Sequence, residues 1–127
     1  MNFKSDNVVG VCPEIMQAVM DANHGDQSSY FKNDLWLKNA AHANKMAQAL
    51  AALFKQHGFP IQCPVEANGI FVELPSALAD KLLKQGHLFY EWGYPGSNVY
   101  RFVTSCFTTL QEIENFGHDL CELGKKT

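Results

Sequence analysis

The chain has 127 residues, enough for one domain with a core that buries roughly two-thirds of the unfolded surface. At 46% hydrophobic and 18% charged, its composition excludes intrinsic disorder, and a net charge of −3 without a basic run argues against nucleic acid as a partner. No apolar stretch is long enough to span a bilayer, so no membrane partner is expected.

The opening Met1–Asp6 has no basic segment leading into an apolar one, which reads as a soluble, cytoplasmic chain without a secretory signal. Asn7–Val11 predicts a short extended stretch. Pro13-Glu14 starts a helix, since proline suits the first helical position and glutamate the positive end of the dipole. Ile15, Val19 and Ala22, with Met16 and Met20, form its apolar stripe, and His24-Gly25 ends it. Residues 25–33 are polar and irregular. Asn33 or Asp34 caps the longest helix, which runs to His57 and stops at Gly58-Phe59-Pro60. Its interior is alanine-rich, with Leu35, Met46, Leu50, Leu53 and Phe54 as the larger core candidates.

Beyond Pro60 the pattern turns to strands. Ile61–Val65 is a short candidate, confined by Pro64 to an edge or a bend, and Gly69–Leu74 is a better one. Pro75-Ser76 opens a helix with Leu78, Leu82 and Leu83 inward, ending at Gly86. Leu88–Trp92 and Val99–Ser105 read as strands joined by a hairpin turn over Gly93–Asn98. Thr109-Leu110-Gln111-Glu112 is a capping-box signature for a last helix with Leu110, Ile113, Phe116 and Leu120 on one face. The order predicts an α+β two-layer sandwich, a mainly antiparallel sheet of about four strands covered by helices.

No catalytic motif is present: no nucleophile elbow, P-loop, zinc-protease helix or glycine-rich dinucleotide turn. Asp6, Glu66, Glu73, Glu91 and Glu114 include no pair whose shared site follows from spacing, and each reads as a solvated carboxylate. Cys12, Cys63, Cys106 and Cys121 contain no C-x-x-C pair and read as unpaired, buried or half-buried thiols. His24, His42, His57, His87 and His118 are scattered, without the spacing of a metal site. Tyr90, Trp92 and Tyr94 read as core and sheet packing.

Arg101 stands out as the only arginine. It sits mid-strand on a face shared with Val99 and Val103. Such a guanidinium can hold a carboxylate through two parallel hydrogen bonds, or simply pack its stem and send its head to water. Ser5-Asp6 is a weaker anion-binding candidate that also reads as a turn.

Long strings of the chain resemble the low-specificity threonine aldolases of the pyridoxal-phosphate (PLP)-dependent β-eliminating lyase group. Asn2-Phe3-Lys4-Ser5-Asp6-Asn7, Cys12-Pro13-Glu14-Ile15-Met16-Gln17-Ala18 and Gly25-Asp26-Gln27-Ser28-Ser29-Tyr30 resemble the family's N-terminus. The stretch from Asp34 to Ala47, then Pro64–Pro75 and Arg101–Ser105, resemble its C-terminal small domain. The resemblance therefore implies an N-terminal segment over 1–33 and a small domain of the fold-type I PLP enzymes over 34–127. In the family, a large domain lies between them and carries the cofactor fold, the ring-stacking histidine, the phosphate loop and the Schiff-base lysine. Here Tyr30 is followed almost at once by Asp34. Lys32 in that junction lacks the serine- and threonine-rich surroundings of such a lysine, as do the other lysines, so no catalytic residue is assigned.

The family cleaves L-threonine or L-allo-threonine to glycine and acetaldehyde, with PLP as electron sink. The resemblance implies that Ser5 and Arg101 hold the substrate carboxylate and that Tyr30 lines the site. Ser105-Cys106-Phe107-Thr108-Thr109 departs from the family's Ser-Trp-Asp-Thr-Thr. Three readings follow: a truncated aldolase inactive alone, one chain of a split lyase completed by a large-domain polypeptide, or a non-enzymatic interaction module using Arg101. An apolar face left without its large domain predicts self-association.

Overall fold

Local helix and turn signals position most elements of the computed structural model, which describes residues 11–22 and 34–125. Helix α1 spans Pro13–Ala22, α2 Leu35–Gln56, strand β1 Gly69–Glu73, α3 Ser76–Lys84, β2 Tyr90–Glu91, β3 Val99–Val103 and α4 Leu110–Gly124. Of the extended stretch expected at Asn7–Val11, all but Val11 lies outside the described residues, and Val11 is in no strand.

The alanine-rich run forms α2 as predicted, burying Ala43, Met46, Ala47, Leu50, Ala51 and Phe54. Asp34 holds the N-cap position without capping: its φ of 51° is left-handed, and its side chain makes no cap hydrogen bond. Asp tolerates that region better than most residues, and its carbonyl still accepts from Lys38 N at 3.0 Å. The helix stops where Gly58 takes φ 78°. Gly58 N then donates to the Lys55 carbonyl and Phe59 N to the Phe54 carbonyl, both at 3.0 Å. The Phe59 ring meets Phe54 edge-on at 6.4 Å, completing a Schellman end with its apolar contact. Helix α4 begins with the predicted capping box. Thr109 Oγ1 accepts from Glu112 N at 3.2 Å, and Glu112 Oε2 accepts from Thr109 N at 2.9 Å.

The sheet has three antiparallel strands in the order β1-β3-β2, where about four were expected. The missing one is Ile61–Val65. It contributes a single bridge, Ile61 to Val72, with Gln62 N donating to Phe71 O and Glu73 N to Pro60 O. Pro64 then lacks the N–H that would continue the ladder. Gln48 of α2 donates to the Val65 carbonyl, which pulls the segment toward the helix layer. The predicted hairpin joins β2 to β3, tied by Trp92 N to Val99 O at 2.7 Å.

One face of the sheet is covered by α2, α3 and α4. Ile70 and Val72 of β1 and Tyr100 and Phe102 of β3 are buried against Leu50, Phe54, Leu78, Leu82, Phe116 and Leu120. Phe102 is the hub, 5.0 Å from Phe54, 5.7 Å from Phe116 and stacked at 4.5 Å on Phe89. Gly117 brings α4 so close to α2 that a Cβ there would fall 2.4 Å from Leu53 Cδ1. Two residues expected inward are exposed, Leu83 and Leu110. Leu83 is displaced by Ala79, which shares the buried face with Leu78 and Leu82. Leu110 opens α4 one turn before the helix reaches the core at Ile113. The cysteines are all unpaired. Cys12, Cys106 and Cys121 are buried or half-buried as expected, but Cys63 is exposed on the proline-flanked segment after α2. Among the described residues no helix is long and apolar enough to cross a membrane.

Candidate functional site

Strand alternation decides where Arg101 goes. Its neighbours Tyr100 and Phe102 point into the core, so Arg101 and Val99 share the face opposite α2, α3 and α4. Register sets Arg101 opposite Phe71 of β1 and Tyr90 of β2. The guanidinium carbon lies 5.5 Å from the centroid of the Trp92 ring, a cation–π distance. Trp92 in turn meets Phe71 edge-on at 5.2 Å. Among the described residues Arg101 makes no ion pair, and its charge is met by the indole face. A planar fork of N–H donors on a half-buried, aromatic-lined face suits a carboxylate.

Beside this group opens a cavity of about 420 Å³, bounded by Gln62, Cys63, Phe71, Trp92, Tyr94 and Ser97. Tyr90, Trp92 and Tyr94, expected as packing residues, are 43%, 51% and 74% exposed. The physical reason is position: Tyr90 lies on a two-residue edge strand, and Trp92 and Tyr94 follow it into the turn to β3. Phe71 and the cavity's floor were not singled out in the sequence. The available signal was alternation: Phe71 falls between the buried Ile70 and Val72 and so faces away from the helices. Which strand lies beside it depends on long-range pairing that no local pattern reports.

Ser5 and Tyr30 lie outside the described residues, so of the three site candidates only Arg101 is placed. His42 and His87 have structural partners. His42 Nε2 is 2.7 Å from the Thr108 carbonyl, joining α2 to the entrance of α4. His87, buried, sits 3.0 Å from Asp119 and edge-on to Phe116 at 5.0 Å. Burial pushes the His87 pKa down against the opposing pull of the Asp119 hydrogen bond. Thr104, fully buried just past β3, donates to the Ala43 carbonyl at 2.7 Å, and Asn68 Nδ2 donates to the Thr104 carbonyl at 2.9 Å. These bonds lock the end of the strand bearing Arg101 to α2 and to the loop before β1.

The described residues do not fit PLP by themselves. A Schiff-base enzyme needs an amine facing the substrate site, and no lysine lines the cavity beside Arg101. The lysines at 38, 45 and 55 belong to α2, those at 81 and 84 to α3, and Lys125 follows α4, in the layer on the other side of the sheet.

No family model matches the chain. Over 90 residues, 70% of the chain, it is 33% identical to a low-specificity L-threonine aldolase of Pseudomonas aeruginosa, of which the match covers 25%. In fold it is similar to the threonine aldolase of Leishmania major, with a TM-score of 0.64 and 26% identity over 72% of this chain and 27% of that one. A NifS-like protein, 19% identical, shares the fold with a TM-score of 0.62 over 71% of this chain and 29% of its own. The common part is the α+β two-layer unit, the small domain of the fold-type I PLP enzymes. The chain spans about a quarter of the length of the curated relatives it matches. In sequence and in fold, it is similar to one part of the low-specificity L-threonine aldolases, which are PLP-dependent enzymes.

Proposed function

We propose that this chain is a truncated threonine aldolase in which residues 34–127 form the small domain and 1–33 the N-terminal segment, and that it is inactive alone. Its retained task is to hold the carboxylate of a small amino acid at Arg101, with Ser5 and Tyr30 contributing from the N-terminal segment. The observation that carries this reading is the Arg101 guanidinium, placed over Trp92 on the open sheet face without a protein carboxylate among the described residues. The position of the described lysines supports inactivity, since none stands beside that group. Titration of the chain with glycine or threonine, followed by NMR shifts of the Trp92 indole, tests the clamp. Loss of charge-assisted hydrogen bonds worth about 2 kcal/mol should weaken binding roughly thirtyfold in Arg101→Ala. Equal affinity in wild type and variant would refute it.

A second reading is favoured by the exposure of Tyr90, Trp92 and Tyr94. That aromatic face would be covered if a separate large-domain polypeptide docked on it and completed a lyase. Co-expression with the large domain of a threonine aldolase then restores threonine cleavage, and no restoration would exclude this version. Persistent carboxylate binding with no lyase partner would leave a non-enzymatic module.

A further inference from the structure

Three neighbours of Arg101 also bound the cavity beside it. Phe71 lies opposite on β1, Val99 two residues earlier on β3, and Trp92 presents its ring 5.5 Å from the guanidinium carbon. The fork of N–H donors therefore stands at the cavity's edge. The walls are chiefly aromatic, with Tyr94 joining Phe71 and Trp92. A volume of about 420 Å³ is in the range of sites for ring-bearing ligands and well above what glycine fills. The polar atoms of the lining are largely committed. Gln62 Nε2 donates to Glu73 Oε2 at 3.1 Å, and Ser97 Oγ donates to the Trp92 carbonyl at 2.7 Å. Among the described residues no Asp or Glu bounds the cavity, so a ligand's ammonium group meets no carboxylate in its lining.

We propose that Arg101 and this cavity together bind a small aromatic carboxylate: the acid pairs with the guanidinium while the ring lies among Phe71, Trp92 and Tyr94. This rests on the reading of Arg101 as a carboxylate holder, and adds that the ring, not an amino group, decides affinity. The two ends of the ligand contribute separately. At one end, two parallel N–H···O bonds satisfy the charge against an aromatic-lined face, where water screens it less than in bulk. At the other, the ring leaves water together with part of the exposed Trp92 and Tyr94 surface. An acid without a ring makes only the first contact, and a ring without an acid only the second.

Titration of the full chain with phenylacetate, acetate and phenylacetamide, read by NMR of the indole N–H signals, tests this. Phenylacetate should bind about tenfold or more tightly than either of the others. It should shift the Trp92 signal and leave that of Trp36, on α2, in place. Arg101→Ala should erase the advantage over phenylacetamide, and Tyr94→Ala should shrink the advantage over acetate. Tyr94 is 74% exposed, so its loss leaves the core intact. Phenylglycine, which adds an α-ammonium group to phenylacetate, should bind no more tightly, and a roughly tenfold gain would contradict the choice of a plain carboxylate. Equal affinity for acetate and phenylacetate would overturn the proposal while leaving the Arg101 clamp standing. Equal affinity for phenylacetate and its amide would remove both, as would a failure of all three to bind.

Discussion

Arg101 acts through where its neighbours go. Tyr100 and Phe102 are drawn inward by the aromatic core, and the two-residue repeat then leaves the guanidinium on the open face above Trp92. Its strand is anchored one residue past its end by Thr104, whose hydroxyl donates to the Ala43 carbonyl. Thr104→Val preserves shape and removes that bond, so unfolding in urea should show a loss of about 1 kcal/mol. An unchanged midpoint would mean that the bond contributes nothing. His87 gives a pH dependence of known sign. Its folded pKa lies below the ordinary histidine value, so the unfolded chain takes up the proton first. Stability from this group is full above the ordinary value, near 6.5, and is lost as pH falls through it. Melting temperature should drop from pH 7.5 to 5.5, and His87→Gln should flatten that slope. An identical slope in the variant would remove His87 as the cause.

Elements whose signals are local were legible, and those that depend on partners were not. The capping box of α4 lies in four consecutive residues and forms as predicted. Thr109→Ala should cost about 1 kcal/mol in denaturant unfolding with the slope unchanged, and no change would show that the cap is energetically idle. The end of α2 was equally readable, because Gly58 supplies a backbone conformation that the other residue types resist. The N-terminal cap was legible only as a position: Asp34 stands there, but it turns left-handed and its side chain makes no cap hydrogen bond, while the alternative, Asn33, lies outside the described residues. Ile61–Val65 has strand composition, but its place depends on Pro64 and on competition from Gln48 for the Val65 carbonyl. Tyr90, Trp92 and Tyr94 looked like packing because aromatic residues in a hairpin usually meet a second layer. Among the described residues that layer, α2, α3 and α4, lies on the opposite side of the sheet. The candidate site was therefore legible in Arg101 and invisible in its surroundings, which exist only once β1, β2 and β3 are in register.

For the whole molecule, the asymmetry of the two sheet faces is the main physical fact. One is sealed by α2, α3 and α4. The other shows Trp92, Tyr90 and Tyr94, and α1 adds exposed Met16, Val19 and Met20. Exposed apolar surface of this kind favours association. Sedimentation velocity over a hundredfold concentration range should therefore show oligomers growing with concentration, and a monodisperse monomer that binds no hydrophobic dye would contradict this. The proposal above is that the chain keeps a carboxylate-holding arginine without a reacting centre. Its most direct test is borohydride reduction of the purified chain with added PLP, followed by peptide mapping. The expected result is no stoichiometric adduct at any one lysine and no glycine formed from threonine. A single lysine labelled to completion, together with threonine cleavage, would contradict it.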